Sequence, residues 1–385
     1  MTMVGSKAGG LGPNEKFIGQ QGSRAGLNTP ALLLDLDALD ANIAAMAAHT
    51  KAAGINLRPH SKGAKSIEIG RRQMAAGAIG ICCTTVGEAE VMAGAGIEGV
   101  LITSPVVTPP IIDRLVALNK QAKGLMVVAD NPVNVDTLAA AGQKSGKPLS
   151  VIVEFDVGQG RTGVTSVDGA IALARRIEAA AHLRFLGIQA YYGHMQHIPA
   201  FADRKAAATG QMDRVRDLLA RLKAEGLAAG VVTGGGTGTF DIDPAGGVYT
   251  EVQPGSYPFM DREYLEIDMT AGRASPFVAS LFVQASVVSA NREGFAVVNA
   301  GYKSFATEGG MPKVASPKLT DASYKLMGDE HGGVDYDPKG GTLKLGEAVE
   351  FLVPHCDPTI NLYDRYHCVR GDRLVEIWRI DGRGR

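Results

Sequence analysis

The sequence predicts an α/β fold: a (β/α)8 TIM-like barrel followed by a mostly β domain. Between Ile55 and Gln253 short apolar, β-branched runs alternate with Ala-rich stretches of helical periodicity, the pattern of βα units around a parallel sheet. After about Ala274 the texture changes to strand-like segments separated by Gly, Pro and Asp turns. The length of 385 residues suits two such units at roughly 100–200 residues per domain. The expected division is a flexible arm over 1–27, a strand over 28–37 that joins the β domain, a barrel over 38–270 and the β domain over 271–385.

Eight strands are expected in the barrel: Ile55–Arg58, Ile79–Cys83, Val100–Thr103, Leu125–Ala129, Leu149–Phe155, Arg184–Ala190, Gly230–Thr233 and Tyr249–Gln253. Leu39, Ile43, Met46 and Ala47 fall on one face of a helix before the first strand. A longer helix runs from about Arg204 to Glu225, with Met212, Val215, Leu218, Leu219 and Leu222 as its apolar stripe and Gly226 as its stop. Eight strands in about 200 residues fit a closed barrel better than an open doubly wound sheet. In the β domain Phe277–Ala290, Phe295–Asn299, Leu343–Val353 and Leu374–Ile380 read as strands, with Ala31–Leu36 joining them.

Composition narrows the function classes. Thirty-nine basic residues stand against 40 acidic ones, a net charge of -1, so no global field attracts nucleic acid or an anionic membrane. No run of about 18 apolar residues predicts a membrane span, and the first 27 residues lack the apolar core of a secretory signal. Four cysteines, two of them adjacent, are too few for a disulfide scaffold and point to reduced thiols in the cytoplasm. Glycine is the anomaly: 49 of 385 residues is about 13%, roughly twice average usage.

Barrel enzymes build their sites from loops at the C-terminal ends of the strands. The polar runs there are Arg58–Lys62, Glu154–Arg161, Tyr191–His197, Gly234–Gly238 and Gln253–Tyr257. The last two are glycine loops after the seventh and eighth strands, where bare backbone N–H groups can approach a phosphate. Turns that merely reverse the chain are the other reading. A phosphate-bearing cofactor is therefore expected. Lys62, four residues beyond Arg58, is a candidate for imine formation with an aldehyde, and Lys65 is its local rival. In the β domain His355 and Asp357 share one side of a strand-like segment and could chelate one cation at an open site; a turn between Pro354 and Pro358 is the alternative.

Taken in order, nine runs carry a resemblance: TPALLLDLDAL (29–39), RPHSKGAKS (58–66), GICCTTVGEAE (80–90), VEFDVGQGRTGV (153–164), QAYYGHMQH (189–197), TGGGTG (233–238), YTEVQPGSYPFMD (249–261), GDEHG (328–332) and VPHCDPTINLYD (353–364). The chain resembles the pyridoxal-phosphate enzymes with an alanine-racemase-type barrel, within them the group holding D-threonine aldolase, 3-hydroxyaspartate aldolase and D-serine dehydratase. The resemblance implies that Lys62, not Lys65, holds pyridoxal 5'-phosphate, that Arg161 contacts the cofactor's phenolic oxygen, and that Tyr191 lies against the cofactor. It implies a phosphate cradle at Gly235, Gly236, Thr237, Gly255 and Ser256 with Tyr257 close by, His197 as an acid/base, and His355 with Asp357 as the divalent-metal pair. It also implies a homodimer. Tyr192, where some relatives carry histidine, and His194 depart from the pattern.

The dehydratases of the group resemble a His-x-Cys metal pair suited to zinc; Asp357 is a harder ligand that favours Mn2+, with Mg2+ or other ions next. The implied activity is cleavage of a D-3-hydroxy-amino acid to glycine and an aldehyde. Dehydration, racemisation and cofactor storage without turnover are the competing outcomes on the same scaffold. Asp329 or His331 could tune the metal's surroundings.

Overall fold

All eight expected barrel strands form, most of them shorter than their apolar runs. In the computed structural model, which describes residues 10–385 except 317 and 320, β1 (Ala31–Asp35) lies outside the barrel. The barrel strands are β2 (Asn56–Leu57), β3 (Cys82–Cys83), β4 (Leu101–Ile102), β5 (Met126–Ala129), β6 (Leu149–Glu154), β7 (Leu183–Ala190), β8 (Val231–Gly234) and β9 (Glu251–Val252). They pair in the order β2-β9-β8-β7-β6-β5-β4-β3, every pair parallel. A parallel bridge between His60 and Cys82 closes the ring, with Ile79 N donating to Leu57 O (2.9 Å) and Cys82 N to Pro59 O (2.8 Å).

The period of two in the strands explains the two apolar layers. Cys82, Leu101, Met126, Val128 and Ile152 cluster inside the barrel. Their alternates Cys83, Ile102, Val127, Ala129, Val151 and Val153 join the larger core facing the helices. The helix Phe201–Ala224 adds Met212, Val215, Leu218 and Leu222 to that core, as its stripe predicts, and Leu219 packs on the margin.

By packing, the chain divides into two units. One holds the residues up to Asn42 with Pro258–Leu265 and Phe277–Arg383; the other holds Ile43–Tyr257, Glu266–Pro276 and Gly384–Arg385. The first unit is built on β1 with β10 (Leu281–Arg292), β11 (Phe295–Val298), β12 (Lys313–Val314), β13 (Ser323–Leu326), β14 (Gly332–Asp335), β15 (Ala348–Leu352), β16 (Arg365–Arg370) and β17 (Arg373–Arg379). Strand β1 sits between β10, antiparallel, and β16, parallel. Residues 1–9 of the expected arm lie outside the described residues. The rest of it is anchored: Leu11, Phe17, Ile18 and Leu27 pack with Ala31, Leu33, Val369, Leu374 and Ile377, and Arg24 forms a two-pronged bond to Glu350 (2.7 and 2.8 Å). Apolar side chains at 11, 17, 18 and 27 give this segment something to bury, which its Gly- and Ser-rich composition hides. No helix among the described residues is long and apolar enough to cross a membrane.

Two buried polar groups fix the backbone where the barrel loops begin. Arg58 spans from β2 to β9, donating Nε to Glu251 Oε1 (2.7 Å) and Nη2 to Oε2 (2.9 Å), and it also donates to Gly99 O. Both side chains are buried, so neither charge can turn to water if the other is lost. Asp243, fully buried beyond β8, accepts from Thr239 Oγ1 (2.5 Å), Gly236 N (3.3 Å) and the Tyr192 hydroxyl. Burial pushes its carboxyl up to about 7 against these donors.

Two outcomes follow. Glu251→Ala should lower the unfolding free energy by about 3–5 kcal/mol, since it strands a buried guanidinium; urea unfolding with a loss below about 1 kcal/mol would contradict a desolvated pair. The folded chain holds the Asp243 proton more tightly than the unfolded chain, so that stabilisation is complete below the acid's ordinary value and is lost as pH rises through about 7. The unfolding free energy of the wild type minus that of Asp243→Asn should therefore fall between about pH 4 and pH 7; a rise across that window contradicts it.

Candidate active site

Because the barrel strands are parallel, the loops after β2, β6, β7, β8 and β9 leave from one rim. Lys62 sits in the short helix Ser61–Ala64 directly after the closing bridge, half-buried. His60 caps this turn. Its Nε2 meets Thr103 Oγ1 (3.0 Å), whose own hydroxyl donates to Cys83 O (3.2 Å), so the ring proton is assigned to Nε2 and Nδ1 accepts from Lys62 N (3.3 Å). Lys65, in the left-handed region at φ 48, directs its ammonium to the buried Glu88 (3.6 Å). The rival lysine is thus drawn into an ion pair.

The glycine loops meet at Thr237, whose hydroxyl oxygen accepts from both Ser256 N and Tyr257 N (3.1 Å each). The turn bearing Lys62 abuts them: His60 N donates to Pro254 O (3.1 Å), and a β-carbon at Gly255 would press on His60 O at 3.3 Å. Gly235 has φ +67, and a β-carbon there would overlap the Asp243 carboxylate. Gly236 and Gly238 are pressed by Gln196, and their amides already donate, Gly236 N to Thr239 and Asp243 and Gly238 N to Gln196 Oε1 (2.8 Å). Part of the glycine run therefore serves packing. The amides of Gly235, Thr237 and Gly255 donate to nothing among the described residues, so the joined loops retain three donors suited to a phosphate. Tyr257 is fully buried behind them, its hydroxyl accepting from Gln73 Nε2 (3.0 Å).

On the loops after β6 and β7 the exposed Arg161 guanidinium lies over the Tyr191 ring, 5.7 Å from its centre. Near them Glu154 is buried with Oε1 accepting from Thr162 Oγ1 (2.9 Å) and Oε2 unpartnered; burial raises its carboxyl. His197 is exposed, and its segment is pinned next to the first glycine loop. Buried Arg204 donates from Nε to Gly238 O (2.8 Å) and also binds Ile198 O and Asp268 O. Tyr192 is part of the Asp243 support, while His194 is exposed and its amide donates to Gln159 Oε1 (2.9 Å). Gln196, Arg204 and Asp243 were not singled out from the sequence; each is a polar residue whose burial only the fold reveals.

In the β unit the strand premise for residues 355–357 fails. His355 is extended (φ -139, ψ 127) but caps the helix Cys356–Ile360, so Asp357 lies in a helical first turn, where its Oδ1 accepts from Cys356 Sγ (3.3 Å). Among the described residues, the three groups whose ligand atoms lie within 4.8 Å of one another are Asp261, Glu263 and His355, a set that does not include Asp357. Asp261 accepts from Cys356 N (2.9 Å) and Tyr264 N (3.2 Å), clamping the two segments together, and burial pushes its carboxyl up to about 6. His355 Nδ1 meets Glu308 Oε1 at 2.8 Å and Glu263 Oε2 at 3.8 Å. One imidazole among several carboxylates is a donor set that fits a divalent first-row ion.

Comparison with known proteins agrees with both units. Residues 34–263 match the family described as alanine racemase, N-terminal domain, and residues 280–369 match the putative serine dehydratase domain. A 3-hydroxy-D-aspartate aldolase of Paracoccus denitrificans is 40% identical over 93% of each chain. The crystal structure of D-threonine aldolase from Filomicrobium marinum superposes with a TM-score of 0.88 at 38% identity, covering 93% of this chain and 95% of the other. A D-threo-3-hydroxyaspartate dehydratase of Delftia sp. is 27% identical, covering 91% of this chain and 97% of its own. The chain belongs to the alanine-racemase-type enzyme family whose members include D-threonine aldolase and 3-hydroxy-D-aspartate aldolase.

Proposed function

We propose that this chain is a pyridoxal-phosphate-dependent, divalent-metal-activated aldolase that cleaves D-3-hydroxy-amino acids of the D-threonine type to glycine and an aldehyde. The observation that supports the reading is the backbone contact of the turn that bears Lys62 with the loop at Pro254 and Gly255, where the joined glycine loops keep three uncommitted backbone donors. Bound pyridoxal phosphate supplies an electron sink for the bond broken at Cα. A bound divalent cation lowers the pKa of the substrate's β-hydroxyl and orients it.

The chain's own residues do the rest. Lys62 would hold the cofactor through its side-chain amine. Gly235, Thr237 and Gly255 donate backbone N–H groups to the phosphate; Gly236, whose amide is committed to Thr239 and Asp243, and Ser256, whose amide is committed to Thr237, shape the cradle. Tyr257 backs the cradle, Tyr191 offers an apolar ring face, and Arg161 over that ring supplies a fixed positive charge for the cofactor's phenolic oxygen. His197 takes the hydroxyl proton as the Cα–Cβ bond breaks. His355 and Asp357 hold the cation, Mn2+ by preference, since an aspartate oxygen is harder than the cysteine sulfur of the dehydratase pattern. The proposed working form is a cytoplasmic homodimer.

The test is product identity. Purified enzyme with D-threonine should yield acetaldehyde and glycine, and chelation should abolish the activity. Formation of 2-oxobutanoate would instead assign dehydration, and turnover indifferent to a chelator would remove the metal from the account. Asp357→Ala should cost activity and metal dependence while leaving the cofactor's visible absorbance intact; an unchanged metal requirement contradicts its role as a ligand.

A further inference from the structure

His355 is the one imidazole among the Asp261, Glu263 and His355 groups, and a ring used as a metal ligand must present a deprotonated nitrogen at a fixed angle. Its Nδ1 lies 2.8 Å from Glu308 Oε1, a full hydrogen bond, and 3.8 Å from Glu263 Oε2, beyond hydrogen-bond reach. Asp261 is otherwise engaged, both of its oxygens accepting backbone N–H groups.

We infer that Glu308 is a positioning residue for the metal centre: it accepts the Nδ1 proton of His355, fixes the ring and its tautomer, and leaves the Nε2 lone pair as the donor to the cation. The carboxylate also makes the imidazole a stronger base toward the ion. Glu308 is the more exposed partner, its side chain 54% accessible against 27% for His355, so the contact is open to substitution without disturbing a core. The inference rests on the reading of His355 as a metal ligand, and it names a carboxylate 47 positions away in the chain.

The experiment titrates the cofactor-loaded, full-length protein with Mn2+, following free and bound ion by electron paramagnetic resonance, for the wild type, Glu308→Ala, Glu308→Gln and His355→Ala. Glu308→Ala should weaken Mn2+ binding about 10–100-fold, with the cofactor's visible absorbance and the melting temperature unchanged. Glu308→Gln keeps an acceptor for the Nδ1 proton without the charge, so its affinity should fall between the two; that partial rescue also serves if the alanine variant folds poorly. Wild-type affinity in Glu308→Ala overturns the inference. A loss as deep as that of His355→Ala, unrelieved by glutamine, also overturns it, because Glu308 would then be a direct ligand. A wild-type protein that fails to bind Mn2+ overturns the metal reading itself, and the inference with it.

Discussion

The parallel pairing of eight barrel strands is the constraint on which the candidate cofactor site depends, because it delivers the polar loops after β2, β6, β7, β8 and β9 to one rim. Ring closure between His60 and Cys82 then decides what the first loop can do. It ends the β2 extension at the residue that caps the Lys62 turn, and the same residue's amide reaches Pro254. Lysine and glycine loops are neighbours because the first and last strands of the barrel pair, β2 against β9. The Arg58–Glu251 pair fixes that junction from within.

The glycine excess takes on two meanings. At Gly235, Gly236 and Gly238 a side chain is excluded by Asp243 and Gln196, so these residues let supporting groups crowd the loop. At Gly255 the exclusion is milder and the amide is uncommitted. A net charge of -1 is consistent with this arrangement, since local backbone donors attract an anion without any global field.

What was legible in the sequence follows burial. Most residues of the barrel strands are buried and read as short apolar runs, so all eight could be placed even though Asn56 and Arg184 are exposed and β9 begins at the charged Glu251. In the β unit, β14 was hidden by Gly332 and Gly333, which read as a turn; the space for side chains at those positions is taken by the rings of Tyr324 and Phe295. Strand β16 (RYHCVR) was hidden by the polar alternates Arg365 and His367, which are half-buried, although Tyr366 and Cys368 are buried. The motif residues of the rim were visible because unusual residue types fall at strand ends. Their supports were not: Asp243, Gln196 and Arg204 look like ordinary surface residues until the chain folds over them. Glu308 had no local signal at all, since its partner lies in a different segment.

Lys62, and not the neighbouring Lys65, is the residue proposed to carry the cofactor. Borohydride reduction of the pyridoxal-phosphate-loaded protein followed by peptide mapping tests it most directly. The pyridoxyl group should be found on Lys62, with Lys65 unmodified beside Glu88. Attachment at Lys65, or reduction that labels no single lysine, would contradict the account.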